Sequence, residues 1–276
     1  MSTNHTLSYR TSCALLCLCF LMLPQSTLVA TESHHTHDDI SITQSQLDSI
    51  AKKIYQNETG SNPNYLIAWN EGENFASLGL GHFIWFPKGL NSPFTETFPD
   101  FIEYLLVHDV AVPEWMLNNR DFPFHSKEKY TNAINSEKML ALKRLMLNTF
   151  SHQINFIFNR MQRALPLMLN ENLSLAQQKH VRERFYKLAN TSLGLYSLID
   201  YVNFKGEGVS KSERYADKGW GLLQVLLNIQ DDQQNINVAF SQACKYVLNR
   251  RVYNSPQREI EAKWIKGWER RCDTYR

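Results

Sequence analysis

The run Asn70 to Pro87, NEGENFASLGLGHFIWFP, is the β-like stretch in a chain whose other apolar residues recur mostly at helical spacing. Two segments of strand character, YLIAW and FASLGLGHFIWF, flank NEGEN and read as a hairpin with a glycine turn at Gly72. Glycines inside a strand pattern mark a kink or a close approach of another backbone. Gly79 and Gly81 are therefore expected to bend the second strand and admit a ligand. Everything after Pro87 must then be built mainly from helices.

The helices are legible from their stripes and caps. Leu47, Ile50, Ala51, Ile54 and Tyr55 line one face of a first helix. Thr43 and Gln46 supply a capping box, and Gly60 and Pro63 end it. DFIEYLLVHDV is a short amphipathic helix. Residues 135–165 form one long apolar-periodic stretch that Pro166 is expected to close, and Ser174 caps the next helix. The loop KGEGVSKSERYADKG leads into a helix near Trp220, and two more helical stretches follow. The expected fold class is mainly α (α+β), a helical domain with one small β-hairpin over residues 43–276.

Residues 1–30 read as an export signal. Arg10 is the sole formal charge there, SCALLCLCFLML is apolar, and Ala30 offers a small residue for cleavage. The apolar run is too short for a stable membrane span. Residues 31–42 are expected to be a flexible tail, and His34, His35 and His37 beside Asp38 and Asp39 belong to that solvated tail, not to a metal site. Cys13, Cys17 and Cys19 leave with the signal. Cys244 and Cys272 remain, and an isolated pair in an oxidising compartment is expected to form a disulfide. The mature protein is thus expected in the periplasm or outside the cell. A formal net charge of +2, with no basic stripe, argues against a nucleic-acid partner. No cofactor is implied. There is no G-x-S-x-G elbow, no H-E-x-x-H helix and no convincing metal spacing among the histidines.

The acids carry the chemistry. Glu58 falls on the apolar stripe and at the C-terminal end of the first helix. Burial and the helix dipole both disfavour its ionised form, so it is expected to be a protonated general acid. Glu71 and Glu73 flank Gly72, and in a regular strand they share a face with Ser77. An acid at a helix end facing a second carboxylate on a hairpin is an arrangement that hydrolyses sugar bonds.

SLGLGH resembles the T-I-G-x-G-H run in the hairpin of phage-type lysozymes, a branch of the lysozyme-like superfamily. The resemblance covers about thirty residues and is moderately specific. It implies a lysozyme-like domain, Glu58 as general acid, a hairpin carboxylate as its counterpart and Ser77 as the residue orienting the attacking water. His82 ends the motif as it does in that family. Two departures stand out: Glu58 lies four residues further from the glycines than in the family, and the turn acid is Glu. The longer run WNEGENFASLGLGHFIWFP is similar to a group of exported bacterial proteins in which the fixed acid corresponds to Glu73. Glu73 therefore ranks above Glu71.

GWGLLQ loosely resembles the G-L-M-Q element of lytic transglycosylases. His82, Tyr215, Trp220 and Gln224 are candidates for substrate binding, and Glu207 is a rival second acid. The expected activity is hydrolysis of glycosidic bonds in peptidoglycan or a related N-acetylated glycan. The alternatives are a lytic transglycosylase with one essential acid, a non-catalytic glycan-binding or cell-wall protein, and a secreted protein that binds another protein through its aromatic surface.

Overall fold

The computed structural model describes residues 40–92, 94–230 and 235–276. The expected export signal, and the tail histidines with their two aspartates, lie outside the described residues. Within them the fold is mainly α, with two small antiparallel sheets. Helix α1 (Gln44–Thr59) begins at the Thr43–Gln46 capping box and ends where Gly60 turns left-handed at φ 58°. Strands β1 (Ile67–Ala68), β2 (Ala76–Leu78) and β3 (Phe83–Trp85) form a meander in that order. The expected hairpin is thus a three-stranded sheet, because the chain reverses a second time at Gly79–His82 instead of running on as one strand.

Helices α2 (Phe98–Val107), α3 (Glu114–Leu117), α4 (Lys127–Ala133) and α5 (Glu137–Asn148) follow. Helix α6 (Phe150–Leu169) is separate from α5. The break falls at Thr149, whose hydroxyl donates back to the Leu145 carbonyl at 2.8 Å. Pro166 sits inside α6 without ending it, since it removes one hydrogen bond only a turn before the helix stops. Helices α7 (Leu175–Ala189) and α8 (Ser192–Lys205) pack side by side. The ribbon β4 (Arg214–Tyr215) and β5 (Lys218–Gly219) is a second hairpin that the sequence pattern did not announce. It leads to α9 (Leu222–Leu227), α10 (Ile236–Asn254), α11 (Arg258–Glu261) and α12 (Ile265–Asp273).

A continuous core joins the sheet to the helices. Trp85 and Phe98 lie 4.4 Å apart between ring centroids, and Phe83 stacks on Phe101 at 4.5 Å. Each of these buried side chains stabilises the fold by roughly 1.5–3 kcal/mol relative to exposure. Ile40 and Ile42 also pack against this core, and the Ile40 carbonyl accepts from Gln162 at 2.8 Å. The expected tail therefore joins the folded body before residue 42. Among the described residues no helix is long and apolar enough to cross a membrane.

Cys244 on α10 and Cys272 on α12 form a disulfide, with Cα atoms 6.0 Å apart and a sequence separation of 28. A loop of that size is stabilised by about 3–4 kcal/mol in the chain-entropy account. Intact-mass analysis should show the deficit of about two hydrogens that one bridge requires. Alkylation of both thiols without reductant would exclude it. The bridge also anchors the helix that carries Arg271.

Candidate active site

Glu58 is the second-last residue of α1, on the stripe that buries Leu47, Ile50 and Ile54. Its side chain is 8% exposed. Arg271 Nη2 on α12 donates to Glu58 Oε1, and His82 Nε2 meets Oε2 at 2.6 Å. Arg271 also donates from Nε and Nη2 to the two oxygens of Asp200, both at 2.8 Å. Asp200 is fully buried in α8 and accepts from the Tyr275 hydroxyl at 2.6 Å. One guanidinium thus joins a helix end, a buried helix face and the chain terminus.

The charges decide the protonation states. Burial alone would raise the Glu58 carboxyl, but the Arg271 and His82 charges outweigh it and hold it at about 2. The expectation of a protonated Glu58 is therefore corrected: its partners keep it ionised. For His82, burial favours the neutral ring, yet the Glu58 charge and hydrogen bond win and raise its pKa. The proton of this pair rests on His82. The side chain of His82 is 47% exposed, so the proton carrier is also the member that reaches solvent.

A braced turn delivers His82. Gly79 adopts φ +67°, and His82 itself lies at φ +45°, a region few residues with a side chain adopt. Buried Gln153 on α6 accepts from the Leu80 N–H at 2.8 Å and donates to the Met146 carbonyl at 2.6 Å. Asn203 on α8 donates to the Leu80 carbonyl at 3.0 Å. Packing gives both glycines a reason. A Cβ on Gly79 would overlap Gln153 Oε1 and the Met146 methyl, and one on Gly81 would overlap the Phe83 ring. Gly79→Ala is expected to cost about 2–4 kcal/mol, summing left-handed strain and overpacking. A denaturant midpoint equal to that of the parent would show that the turn relaxes freely.

The hairpin acids sit apart from this cluster. Only Ala76–Leu78 is strand, and Glu71 to Phe75 is turn and bend, so strand parity does not carry from Ser77 back to the glutamates. Glu71 is exposed in the turn. Glu73 accepts from Asn70 at 3.0 Å and lines an open cleft of about 370 Å³ with Trp69, Lys88, His125 and Lys127. Its charge still reaches His82 and favours the imidazolium. Ser77 is 6% exposed in the central strand β2, opposite Ala68 and Ile84. That burial does not present its hydroxyl to an attacking water.

The second cluster is braced more than it is open. Gln224 accepts from the Gly221 N–H and donates to the Gly208 carbonyl, both at 3.0 Å, so its amide holds the loop and is not free for a sugar. Trp220 is 5% exposed, which leaves no face for stacking. The Tyr215 hydroxyl donates to Glu261 at 2.8 Å. Glu207 is bound at both oxygens by Arg160, at 2.6 and 2.9 Å, and is not an exposed acid. Buried Glu261 also pairs with Arg251, whose guanidinium lies 4.1 Å from the Trp220 ring centroid and 5.0 Å from Trp268. Lys205 stacks on Trp268 at 3.6 Å and on Phe204 at 4.0 Å, and Arg271 shares Phe204 at 4.2 Å. Tyr215 and Trp220 therefore connect to the Glu58 cluster through a ladder of cations and rings.

Sequence reading did not assign Asp200, Tyr275, Lys205, Arg251 or Glu261 to a site. A lone aspartate within SLGLYSLIDYVNF was the available signal, because an acid on an otherwise apolar helix needs a buried partner. Among the described residues no group of three or more His, Cys, Asp or Glu could hold a metal ion. The fold and site define a mainly α protein with a buried carboxylate pair bridged by one arginine and an exposed histidine. No protein-family model matches the chain, and no curated protein or solved structure matches it.

Proposed function

We propose that this chain is an exported enzyme that cleaves glycosidic bonds of peptidoglycan or a related N-acetylated glycan, with the Glu58–His82 pair supplying the proton to the leaving oxygen. The observation that carries this reading is the 2.6 Å contact between a buried helix-end carboxylate and a half-exposed histidine on the glycine turn. His82 bears the proton at rest. Glu58 keeps it there, and Arg271 keeps Glu58 in place. General acid catalysis needs a proton held in reach of the substrate at working pH, and a raised histidine meets that need. The lysozyme-like hairpin motif supports the substrate class. The Cys244–Cys272 bridge supports an oxidising compartment.

Glu73 is the second carboxylate in the hydrolytic form of this proposal. Glu73→Gln should slow cleavage more than Glu71→Gln, because Glu73 alone of the two acts on His82. A single-acid transglycosylase is the second reading, favoured by the separate cleft that Glu73 lines. The test is the product mass from purified sacculi treated with the mature protein. A reducing sugar end identifies hydrolysis, and an anhydro end identifies transglycosylation. No released product overturns both.

A further inference from the structure

The cleft beside Glu73 is braced by bonds that do not involve its lining charges. The Trp69 indole N–H donates to the Glu73 carbonyl at 2.6 Å. The Phe122 N–H donates to the Phe86 carbonyl at 2.8 Å, and the Tyr130 hydroxyl donates to the Ile67 carbonyl at 2.7 Å. These bonds tie the segment carrying His125 and Lys127 to the strands that flank Glu73 and Lys88. The volume of about 370 Å³ falls within the roughly 300–1,000 Å³ of small-molecule sites. Its charges are mixed: Lys88 and Lys127 are exposed, and Glu73 is half-buried. Among the described residues neither ammonium pairs with an acid, and Asn70 occupies only Oε2 of Glu73.

We propose that this cleft binds a zwitterion, a free amino acid or a short peptide with both ends free, with its carboxylate on Lys88 and Lys127 and its ammonium on Glu73. A lone anion would meet the Glu73 charge, and a lone cation would meet two ammonium groups. A neutral sugar would leave all three charges unanswered. A ligand that carries both signs matches each of them. Glu73 Oε1 is the open acceptor for the ammonium. Pro87 and Leu90 line the same cleft and offer apolar surface to the carbon skeleton. The binding is separate from the Glu58–His82 pair and stands whether or not the chain cleaves glycan.

Titration of the folded protein with alanyl-alanine, followed by NMR at neutral pH, tests this without any variant. The Asn74, Lys88 and Lys127 amides should shift saturably, with a Kd of about 1 mM or below. N-acetyl-alanyl-alanine lacks the ammonium, and alanyl-alaninamide lacks the carboxylate. Each should bind at least about fivefold more weakly, the worth of one exposed ion pair. Free alanine separates the two sources: tighter binding of alanine assigns a single amino acid, and tighter binding of alanyl-alanine assigns a peptide. Equal binding of either capped form overturns the proposal, and so does the absence of saturable shifts below about 10 mM. Lys88→Met combined with Lys127→Met should keep the fold, because both side chains are exposed, and should weaken binding. An unchanged Kd in that folded variant overturns the proposal as well.

Discussion

Under the proposed function, Glu58→Gln is expected to lower glycan cleavage by at least about a hundredfold while the protein stays folded. The amide is nearly isosteric, so Arg271 can still donate to its oxygen. Its NH2 group then faces His82 Nε2 at the 2.6 Å contact. Two donors cannot meet there, so His82 must present a bare nitrogen and give up its proton. The expected signature is therefore double: loss of cleavage and a fall in the His82 pKa measured by NMR. Near-normal cleavage in a folded Glu58→Gln protein would remove the pair from the mechanism. An unmoved His82 titration would show that Glu58 does not hold the proton.

The same pair sets a pH window for stability. Glu58 drops from its ordinary 4.5 to about 2 on folding, so its contribution is complete above about 4.5 and is lost as pH falls towards 2. His82 is raised above its ordinary 6.5, so its contribution is complete below about 6.5 and is lost as pH rises through the folded value. The cluster is tightest between those limits. Melting temperatures across pH should fall at both ends, and Glu58→Gln should flatten both limbs.

Much of this was legible in local pattern. The capping box at Thr43, the stripe through Glu58 and the isolated cysteine pair each rest on neighbours in sequence or on simple counting. The burial of Glu58 followed from its place beside Leu47, Ile50 and Ile54. Its charge state did not follow, because the deciding partner, Arg271, lies 213 positions away. The glycine turn was misread for a related reason. SLGLGH is as apolar as a strand, and only the packing of Gln153 and Met146 shows why Gly79 must lack a side chain. Gln224 and Trp220 looked available because sequence does not reveal that their polar atoms and ring faces already have partners.

Arg271→Met is expected to destabilise the protein by about 3–5 kcal/mol, the cost of breaking a buried pair from one side. Arg271 is 11% exposed at its side chain, and Asp200 is fully buried. Removing the guanidinium leaves Asp200 with the Tyr275 hydroxyl and leaves Glu58 with His82 alone. Two carboxylates would then be desolvated, and only Glu58 would keep a charged partner. The decisive comparison is with Asp200→Asn and the double variant. If Arg271 serves mainly to satisfy Asp200, the double variant loses less than the sum of the singles, by the coupling that contacting residues show. Strict additivity in denaturant melts would mean that the two do not act together. The double variant also separates stability from chemistry. Glu58 keeps its histidine there but loses its arginine, so its carboxyl should rise from about 2 with His82 alone opposing burial. The Arg271 charge also lowers His82, so its loss lets His82 hold the proton more firmly. If cleavage survives in the folded double variant, Arg271 is not needed for the proton to be released. If cleavage fails while the fold holds, Arg271 serves the chemistry as well as stability.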